Sequence, residues 1–242
     1  MATKGSGDVG FLLIAGRDIE SQLLTITDTN ERDVDRSDGL SASVDSYQDL
    51  GVDRMTLSLE GLLNTATGEI EDALKLQDEQ VIVYAPVGNA IGDPFIGMNA
   101  VQETFKRNPA QGQLTRVSAE YKTSEFEEGV VLAPHTARTT EGPTDTAHLD
   151  NAASTSDGGV GYIAVSALAL GGTNHVLVHI RDSTDNVTYA TLITFNNITA
   201  VNAVERLAVA GTVNRYLEVR HQFIGGSFSG GSITFAVGFK RS

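Results

Sequence analysis

The second half of the chain is a series of short apolar or alternating segments with almost no helical periodicity. Gly, Asn, Asp and Ser clusters separate six segments that we predict as strands: 161–170, 175–181, 189–195, 205–211, 216–223 and 232–240. Regularly spaced strands of this length are typical of an antiparallel β-sandwich. Alternation predicts its core side chains: Val176, Val178, Ile180, Leu192, Leu207, Val209, Leu217, Val219, Phe235 and Val237.

The first half combines strands with one helical segment, which predicts an α+β domain. Apolar or alternating runs predict strands at 11–15, 23–27, 40–47, 55–63, 80–84, 95–105 and 114–121. Segment 67–77 differs, because acidic residues crowd its first turn and Ile70, Ala73 and Leu74 recur at helical spacing. A Thr-, Ser-, Gly- and Pro-rich stretch follows at 133–159. We therefore expect a mainly β protein with domains at 1–140 and 141–242.

Composition excludes several classes of site. The 242 residues include no Cys, so no disulfide, thiolate metal site or Cys nucleophile can form. The N-terminus has no apolar signal region, and no apolar run reaches the roughly 18 residues that span a bilayer. We expect a soluble protein made in a cytoplasm, with no membrane insertion.

The negative charge is concentrated in the first half. Residues 1–140 carry 23 Asp and Glu against 11 Lys and Arg, a net of −12 out of −14 for the chain. This balance argues against nucleic-acid binding by phosphate neutralisation. It is compatible with a surface past which nucleic acid slides, since like charges repel.

The acidic run 28–39 resembles a calcium loop only in part. An EF-hand needs Gly at its sixth position and Glu at its twelfth, and the chain has Asp38 and Val44 there. We predict instead an exposed acidic loop between strands, with these carboxylates: Asp28, Glu31, Asp33, Asp35 and Asp38.

No motif specifies a catalyst or a cofactor site. His175 and His179 have the spacing of a helical zinc pair, but their segment alternates like a strand, which would separate the two rings by about 13 Å. The glycine clusters 87–93 and 224–232 fit neither phosphate-binding nor nucleophile-elbow motifs. We expect no enzyme activity, no metal and no cofactor.

Segment 180–195 offers four interpretations: a sugar site, a glycosylation acceptor at Asn186, a metal loop or a turn between two strands. Asp182, Asp185 and Asn186 favour a turn, because such side chains bond their own backbone and tolerate left-handed φ. A sugar site would want exposed aromatic rings, and Tyr189 is the one nearby in the sequence. These four residues are therefore predicted as a surface turn of the second domain.

The first half resembles the major tail tube proteins of siphophages, the lambda-like tail tube family. The resemblance lies in "GFLLIAGRDIESQLLTITDT" (10–29), "RMTLSLEGLLNTATGEIEDAL" (54–74) and "LTRVSAEYKTSEFEEGVVL" (114–132). The second half resembles the Ig-like or lectin-like decoration domain of many such proteins. It matches in "DGGVGYIAVSAL" (157–168), "VLVHIRDSTDNVTYATLITF" (176–195), "VERLAVAGTVNRYLEVRHQF" (204–223) and "SITFAVGFKR" (232–241).

This resemblance implies a structural role in a virion. Family members form hexameric rings that stack around a tape measure protein, and strands of neighbouring subunits join into a β-barrel lining a DNA channel. The helix packs outside this barrel and the second domain lies on the tube exterior. The implied partners are further copies, the tape measure protein, the tail terminator, baseplate or distal tail proteins, and passing DNA. Assembly is expected in the host bacterial cytoplasm, with the acidic loop contacting the next ring.

Two other functions stay open at this stage. One is a virion-surface protein that binds carbohydrate, with weak contact to a host-surface glycan through the second domain. The other is a different tail or capsid part, such as a terminator or decoration protein.

Overall fold

The computed structural model describes residues 4–5, 10–36, 47–65, 69–76, 78–109, 111–140 and 144–242. In the first half these residues form strands β1 (Lys4–Gly5), β2 (Phe11–Ile14), β3 (Arg17–Asp18), β4 (Leu23–Arg36), β5 (Tyr47–Leu62), β6 (Gln80–Ala85), β7 (Pro94–Asn108) and β8 (Arg116–Arg138). A 3₁₀ turn covers Glu20–Gln22, and the one α-helix in the described residues, α1, spans Ile70–Leu74.

The second half is built from strands alone in the described residues. They are β9 (Thr144–Asp145), β10 (Leu149–Asp150), β11 (Gly159–Ala169), β12 (His175–Ser183), β13 (Ala190–Thr194), β14 (Val204–Val209), β15 (Tyr216–Ile224) and β16 (Ser232–Arg241). The six strands predicted from the sequence are confirmed as β11 to β16, and the mainly β fold class is confirmed with them.

Two antiparallel sheets organise the molecule. The larger has the order β1-β4-β5-β8-β7-β6-β2-β3, and the end of β8 also pairs with β16, which continues to β11 and β14. The smaller sheet has the order β10-β15-β12-β13, with β9 alongside β15. The β8–β16–β11–β14 part of the larger sheet faces the smaller sheet and forms the predicted sandwich.

Three hydrophobic cores hold these layers together. The first lies on one face of the β4–β5–β8–β7 sheet and is covered by α1 and by alternate residues of β2 and β6. The second fills the sandwich and contains all ten predicted core residues, with Leu192, Leu207 and Val209 partly buried at its margin. The third joins the halves, because the other faces of β2 and β6 pack on β11 and β16.

Alternation explains how one strand serves two cores. In β2, Leu12 and Ile14 enter the first core while Phe11 and Leu13 enter the third. The strand is therefore apolar at every position, as expected for a strand buried on both faces. The domain boundary near residue 140 stays a prediction; β8 itself runs without a break from the first core to the sandwich.

Candidate functional site

One face of the β4–β5–β8–β7 sheet is polar along its whole length. Alternate residues such as Leu57, Leu59 and Tyr121 point into the first core and are fully buried. Their neighbours point away from the core and form a surface that we call the polar face: Thr25, Thr27, Thr29, Glu31, Arg54, Thr56, Ser58, Glu60, Val101, Glu103, Thr104, Lys106, Arg116, Ser118, Glu120 and Lys122. A shallow groove of about 270 Å³ lies at its centre between Ser58 and Glu120.

The charges of the polar face balance. It carries four carboxylates and four cations: Glu31, Glu60, Glu103 and Glu120 against Arg54, Lys106, Arg116 and Lys122. The ammonium of Lys122 lies 2.7 Å from Glu103 Oε2 and 3.6 Å from Glu120 Oε1. Its hydrogen bond lowers the pKa of Glu103 and raises that of Lys122. The net charge of −12 in the first half is therefore not concentrated on this face.

The helix lies on the opposite side of the sheet from the polar face. Ile70, Ala73 and Leu74 of α1 are completely buried in the first core. The Gln22 side-chain oxygen accepts a hydrogen bond of 3.0 Å from the Ile70 backbone N–H, which fixes the start of the helix. Arg107 of β7 pairs with the buried Glu71. These contacts leave the polar face uncovered.

Both outer strands of the four-stranded region have a free edge in the described part of the chain. On its outer side β4 pairs with β1 at Thr25 and Ile26, and β7 pairs with β6 from Ile96 to Ala100. Within the described residues, the remaining part of β4, 27–36, pairs on one side only, with β5. The remaining part of β7, 101–108, likewise pairs on one side only, with β8. We call these the β4 edge and the β7 edge. Unpaired strand edges are templates for pairing with another chain.

The β4–β5 hairpin projects beyond the sheet. The last β5 residue that pairs with β8 is Met55, whereas β4 and β5 stay paired with each other up to Arg36 and Tyr47. Residues 31–36 and 47–54 thus form a two-stranded ribbon that extends for about 20 Å at ~3.3 Å per residue. An isolated two-stranded ribbon is marginally stable in water, so contact with another surface would stabilise it.

The structure corrects the predicted acidic loop. Asp28, Glu31, Asp33 and Asp35 lie on β4, so the loop prediction is wrong for residues 28–36, and Asp38 lies outside the described residues. Cross-strand pairing with β5 orders a segment whose sequence has no apolar periodicity.

Two of these carboxylates, Asp28 and Glu31, lie on different faces of the sheet. Glu31 lies on the polar face, opposite Arg54. Asp28 lies on the other face of the sheet. Burial, together with the negative charge of Asp28, raises the pKa of Tyr84 to about 12.

The predicted surface turn of the second half is confirmed as a turn, but Asp182 does not belong to its surface. Asp182 is 5% exposed and accepts a hydrogen bond of 2.9 Å from the Asn214 backbone N–H, so its placement at the surface was wrong. Asp185 accepts the backbone N–H groups of Val187 and Thr188 at 2.9 and 2.8 Å, which lowers its pKa. Asn186 adopts the left-handed φ of +60°.

The fold brings two aromatic residues, His148 and Tyr216, next to this turn, and the sequence did not predict either contact. The Asn186 amide nitrogen lies 3.3 Å from the His148 ring, and that ring meets Tyr216 edge-on at 5.7 Å. Tyr189 donates a hydrogen bond from its hydroxyl to Asn186. His148 and Tyr216 are about 30 residues or more from the turn in sequence, so no local pattern could have placed them there.

No group of three or more His, Asp or Glu side chains in the described ranges has the arrangement of a metal site. His175 and His179 both lie on β12, as the strand interpretation required. Among the described helical residues, none belong to a helix with the length and hydropathy of a membrane span.

Comparison with known proteins gave matches among solved structures alone. No protein-family model matches the chain, and no curated protein is significantly similar to it. The chain is similar to a protein in the tail of an empty gene transfer agent particle, with 9% identity over 42% of this chain and 77% of that chain and a TM-score of 0.35. A protein in the virion of a native gene transfer agent particle matches with 7% identity, coverages of 52% and 98%, and a TM-score of 0.41.

A third match covers nearly all of the chain. It is the Dit protein of phage SPP1, described as the hub of the adsorption apparatus in phages that infect Gram-positive bacteria, with 10% identity, coverages of 96% and 99%, and a TM-score of 0.31. Tail, virion and phage hub proteins are thus among the structures to which this chain is similar. With TM-scores below 0.5, these similarities carry no conclusion about its function.

Proposed function

We propose that this chain is a structural protein of a phage virion, and specifically a tail tube subunit. Its copies join side by side into rings, and the rings stack into a tube that surrounds a tape measure protein and later conducts DNA. The sequence resemblance of segments 10–29, 54–74 and 114–132 suggests this function, and the architecture of the first half supports it independently.

The observation that carries the proposal is the pair of free edges that bound the polar face. A sheet with two unpaired edges and one solvated face is an aggregation hazard for a lone molecule. Joining the β4 edge of one copy to the β7 edge of the next removes both edges when the ring closes. The core and α1 lie on the other side, so ring closure turns the polar face toward a central bore, and the helix stays outside.

The polar face has the chemistry of a wall that does not retain nucleic acid. A basic wall would hold phosphates and release their counterions, which is the source of most affinity for DNA. Here the four cations are matched by four carboxylates, and the space between them is lined by the hydroxyls of Thr25, Thr27, Ser58, Thr104 and Ser118. The proposed bore is thus neutral in formal charge, rather than anionic as the composition of the whole half suggested.

The projecting ribbon is the proposed contact between rings. It lies at one end of the four-stranded sheet, and the turn between β7 and β8 lies at the other. Stacking would place the far part of the ribbon, which includes Asp33 and Asp35, against the opposite end of the next ring. Arg107 and Arg116 lie at that end, so the contact would be between charges of opposite sign.

The second half is proposed to lie on the tube exterior. Its sandwich is attached to the first half through the end of β8 and through the third core, away from the polar face. In this position it leaves the bore and both edges accessible. The further partners proposed for the assembled tail are a terminator and distal tail or baseplate proteins.

Electron microscopy of concentrated protein tests the proposal directly. We expect negative-stain images to show rings or hollow tubes with a central channel, and gel filtration to show an oligomer that dissociates on dilution. A protein that stays monomeric at millimolar concentration, with no rings in any image, would contradict the proposed function.

A second candidate function, glycan contact by the outer unit, is favoured by one observation. Tyr189, Tyr216 and His148 gather at the end of the sandwich with the carboxylate–guanidinium pair of Asp150 and Arg215. Aromatic rings beside hydrogen-bonding side chains are suited to sugars. Retention of the monomer on a glycan array, lost on Tyr216→Ala, is the result expected of this function.

A further inference from the structure

The four-stranded sheet also contains information on how two copies would align. In the monomer one row of residues crosses the polar face from edge to edge: Thr25 on β4, Glu60 on β5, Ser118 on β8 and Lys106 on β7. If strands ran parallel to the ring axis, Lys106 of one copy would lie beside Thr25 of the next. Strands in closed barrels are tilted, however, so the true register must be shifted.

The size of this shift follows from barrel geometry. Strands tilt by about 35–45° and are about 4.8 Å apart, with a rise of about 3.3 Å per residue. Each strand is then displaced by about 1 to 1.5 residues relative to its neighbour. Across the four strands of one copy, the displacement is about 4 to 6 residues, whatever the number of copies in the ring.

Only one direction of shift leaves residues to pair. A shift toward the start of β4 would place Lys106 beside position 21 or 19, which precede the strand. A shift toward the hairpin places Lys106 beside Thr29 or Glu31. The β7 edge, 101–108, then pairs with 27–34 or 29–36, and both ranges lie within the β4 edge. The two edges thus have matching lengths at the register that geometry requires.

Charge complementarity supports the same alignment. Glu31 and Lys106 both point to the polar face, and both are exposed on the outermost strands. The other exposed lysine of this face, Lys122, is already held by Glu103 and Glu120. Within the described residues, no carboxylate is within ion-pair distance of Lys106 in its own chain. A partner from the next copy would neutralise it.

Resting on the proposed function, in which the β7 edge of one copy joins the β4 edge of a second copy, we infer the register of this seam. The strands are antiparallel, Lys106 is placed next to Thr29 and Glu31 of the neighbour, and the Lys106 ammonium pairs with the Glu31 carboxylate. This seam is a heterologous, head-to-tail contact that closes into a ring.

Engineered disulfides measure the register, because the chain has no native Cys. A disulfide requires Cα atoms about 4.4–6.8 Å apart. Within one chain, positions 31 and 106 lie on opposite edges of the four-stranded sheet, so a bridge between them must join two copies. We expect oxidised Lys106→Cys with Thr29→Cys or Glu31→Cys to give a ladder of covalent multimers. The yield should be at least about tenfold that of the control pair Lys75→Cys with Glu31→Cys, because Lys75 lies on the helix side.

Charge reversal tests the ion pair itself. Lys106→Glu and Glu31→Lys are each expected to raise the protein concentration needed for assembly about tenfold, and the double variant to restore it to within about threefold of the original chain. Lys75→Glu, a matched reversal on the other side of the sheet, should leave that concentration unchanged. Circular dichroism of each dilute monomer checks that the fold is retained.

The outcomes separate the two proposals. If the original chain forms tubes but bridges form with Thr25→Cys instead of positions 29 and 31, the register is overturned while the proposed function stands. A double variant no better than either single variant overturns the ion pair. If the original chain forms neither rings nor tubes, the proposed function fails first, and the seam fails with it.

Discussion

The hydroxyl of Tyr162 donates a hydrogen bond to the carboxylate of Glu127 at the junction between the two halves of the chain. Tyr162 lies on β11 and is completely buried, whereas Glu127 lies on β8 and is 9% exposed. Arg206 of β14 completes the network, with its Nε 3.0 Å from the Tyr162 hydroxyl and its terminal nitrogen paired with Glu127. Each polar group at this junction is thereby satisfied, which the burial of Glu127 requires.

Removing the Tyr162 hydroxyl should weaken the junction without opening a cavity. Tyr162→Phe keeps the ring but deprives Glu127 of one donor, so we expect the free energy of unfolding to fall by about 1–2 kcal/mol in urea denaturation. Tyr189→Phe is the matched control, because its hydroxyl bonds Asn186 in a surface turn and its loss should cost under about 0.5 kcal/mol. Equal losses in the two variants would contradict a special role for the junction.

Gly97 of β7 should not tolerate a side chain. A Cβ at this position would lie 2.6 Å from carbon atoms of the Tyr162 ring, which packs flat against the glycine backbone. Because Tyr162 is held by Glu127 and Arg206, the ring cannot retreat. We expect Gly97→Ala to reduce the free energy of unfolding by about 1–3 kcal/mol. Thr104→Ala, at a half-buried position on the polar face of the same strand, should change it by less than about 0.5 kcal/mol.

His135 should make stability dependent on pH in the weakly acidic range. Burial lowers its pKa, with Arg138 acting in the same direction and Asp18 opposing them. In the unfolded chain the imidazole of His135 takes up a proton near pH 6.5, whereas in the folded chain it stays neutral to a lower pH. The contribution of His135 to the free energy of unfolding is therefore fully present above about pH 6.5, and it is lost as the pH falls toward the pKa of the folded state.

Urea denaturation between pH 5 and 8 checks this dependence. Part of the loss of stability on acidification should disappear in His135→Gln. The glutamine side chain can still form a hydrogen bond with the Ser166 hydroxyl, which lies 2.7 Å from the His135 ring. The exposed His148 is the control, and His148→Gln should keep the full pH dependence. An unchanged pH profile in His135→Gln would contradict the assignment.

Shortening the β4–β5 ribbon should separate ring formation from stacking. Replacing residues 33–52 by Asn-Gly would close the hairpin after the Arg32–Asp53 pair with a favoured two-residue turn. The four-stranded sheet and the first core are retained, so circular dichroism should show a folded monomer. The seam loses residues 33–36 but keeps Thr29, Glu31 and Lys106, so we expect rings without tubes in electron micrographs, formed at a higher protein concentration than the original chain needs. Tubes of normal length from this variant would show that the ribbon is not the contact between rings.

The strands of the sandwich were predictable because burial on one face leaves a period of two. Val176, Val178 and Ile180 alternate with His175, Leu177 and His179, and the structure buries the first set completely. The third core left a weaker signal. "FLLI" (11–14) and "VIVYA" (81–85) are continuous apolar runs, and such runs indicate strands buried on both faces. Burial on both faces could therefore have been inferred from the sequence for these two strands, but the sequence does not indicate which strands pack against them.

The ribbon and Asp182 were misplaced for opposite physical reasons. Residues 28–36 form a strand in which charged and polar residues predominate, so no apolar alternation reveals it in the sequence. Asp182 is charged and yet buried, because Asn214 supplies a backbone N–H from 32 residues away. Long-range pairing decides both positions. The polar face was likewise invisible, since its four strands come from segments far apart in the chain.

The unbroken course of β8 limits how this protein can be divided or recombined. Residues in its later part, including Val131, Leu132 and Ala133, are buried against the second half, although they precede the predicted boundary at 140. A fragment ending at residue 140 would expose those apolar side chains to solvent. It would also expose the backbone N–H and C=O groups that pair with β16 in the whole chain. Exchanging the second half as a cassette would therefore need a splice point upstream of Val130, inside the strand, or a redesigned terminus to shield it.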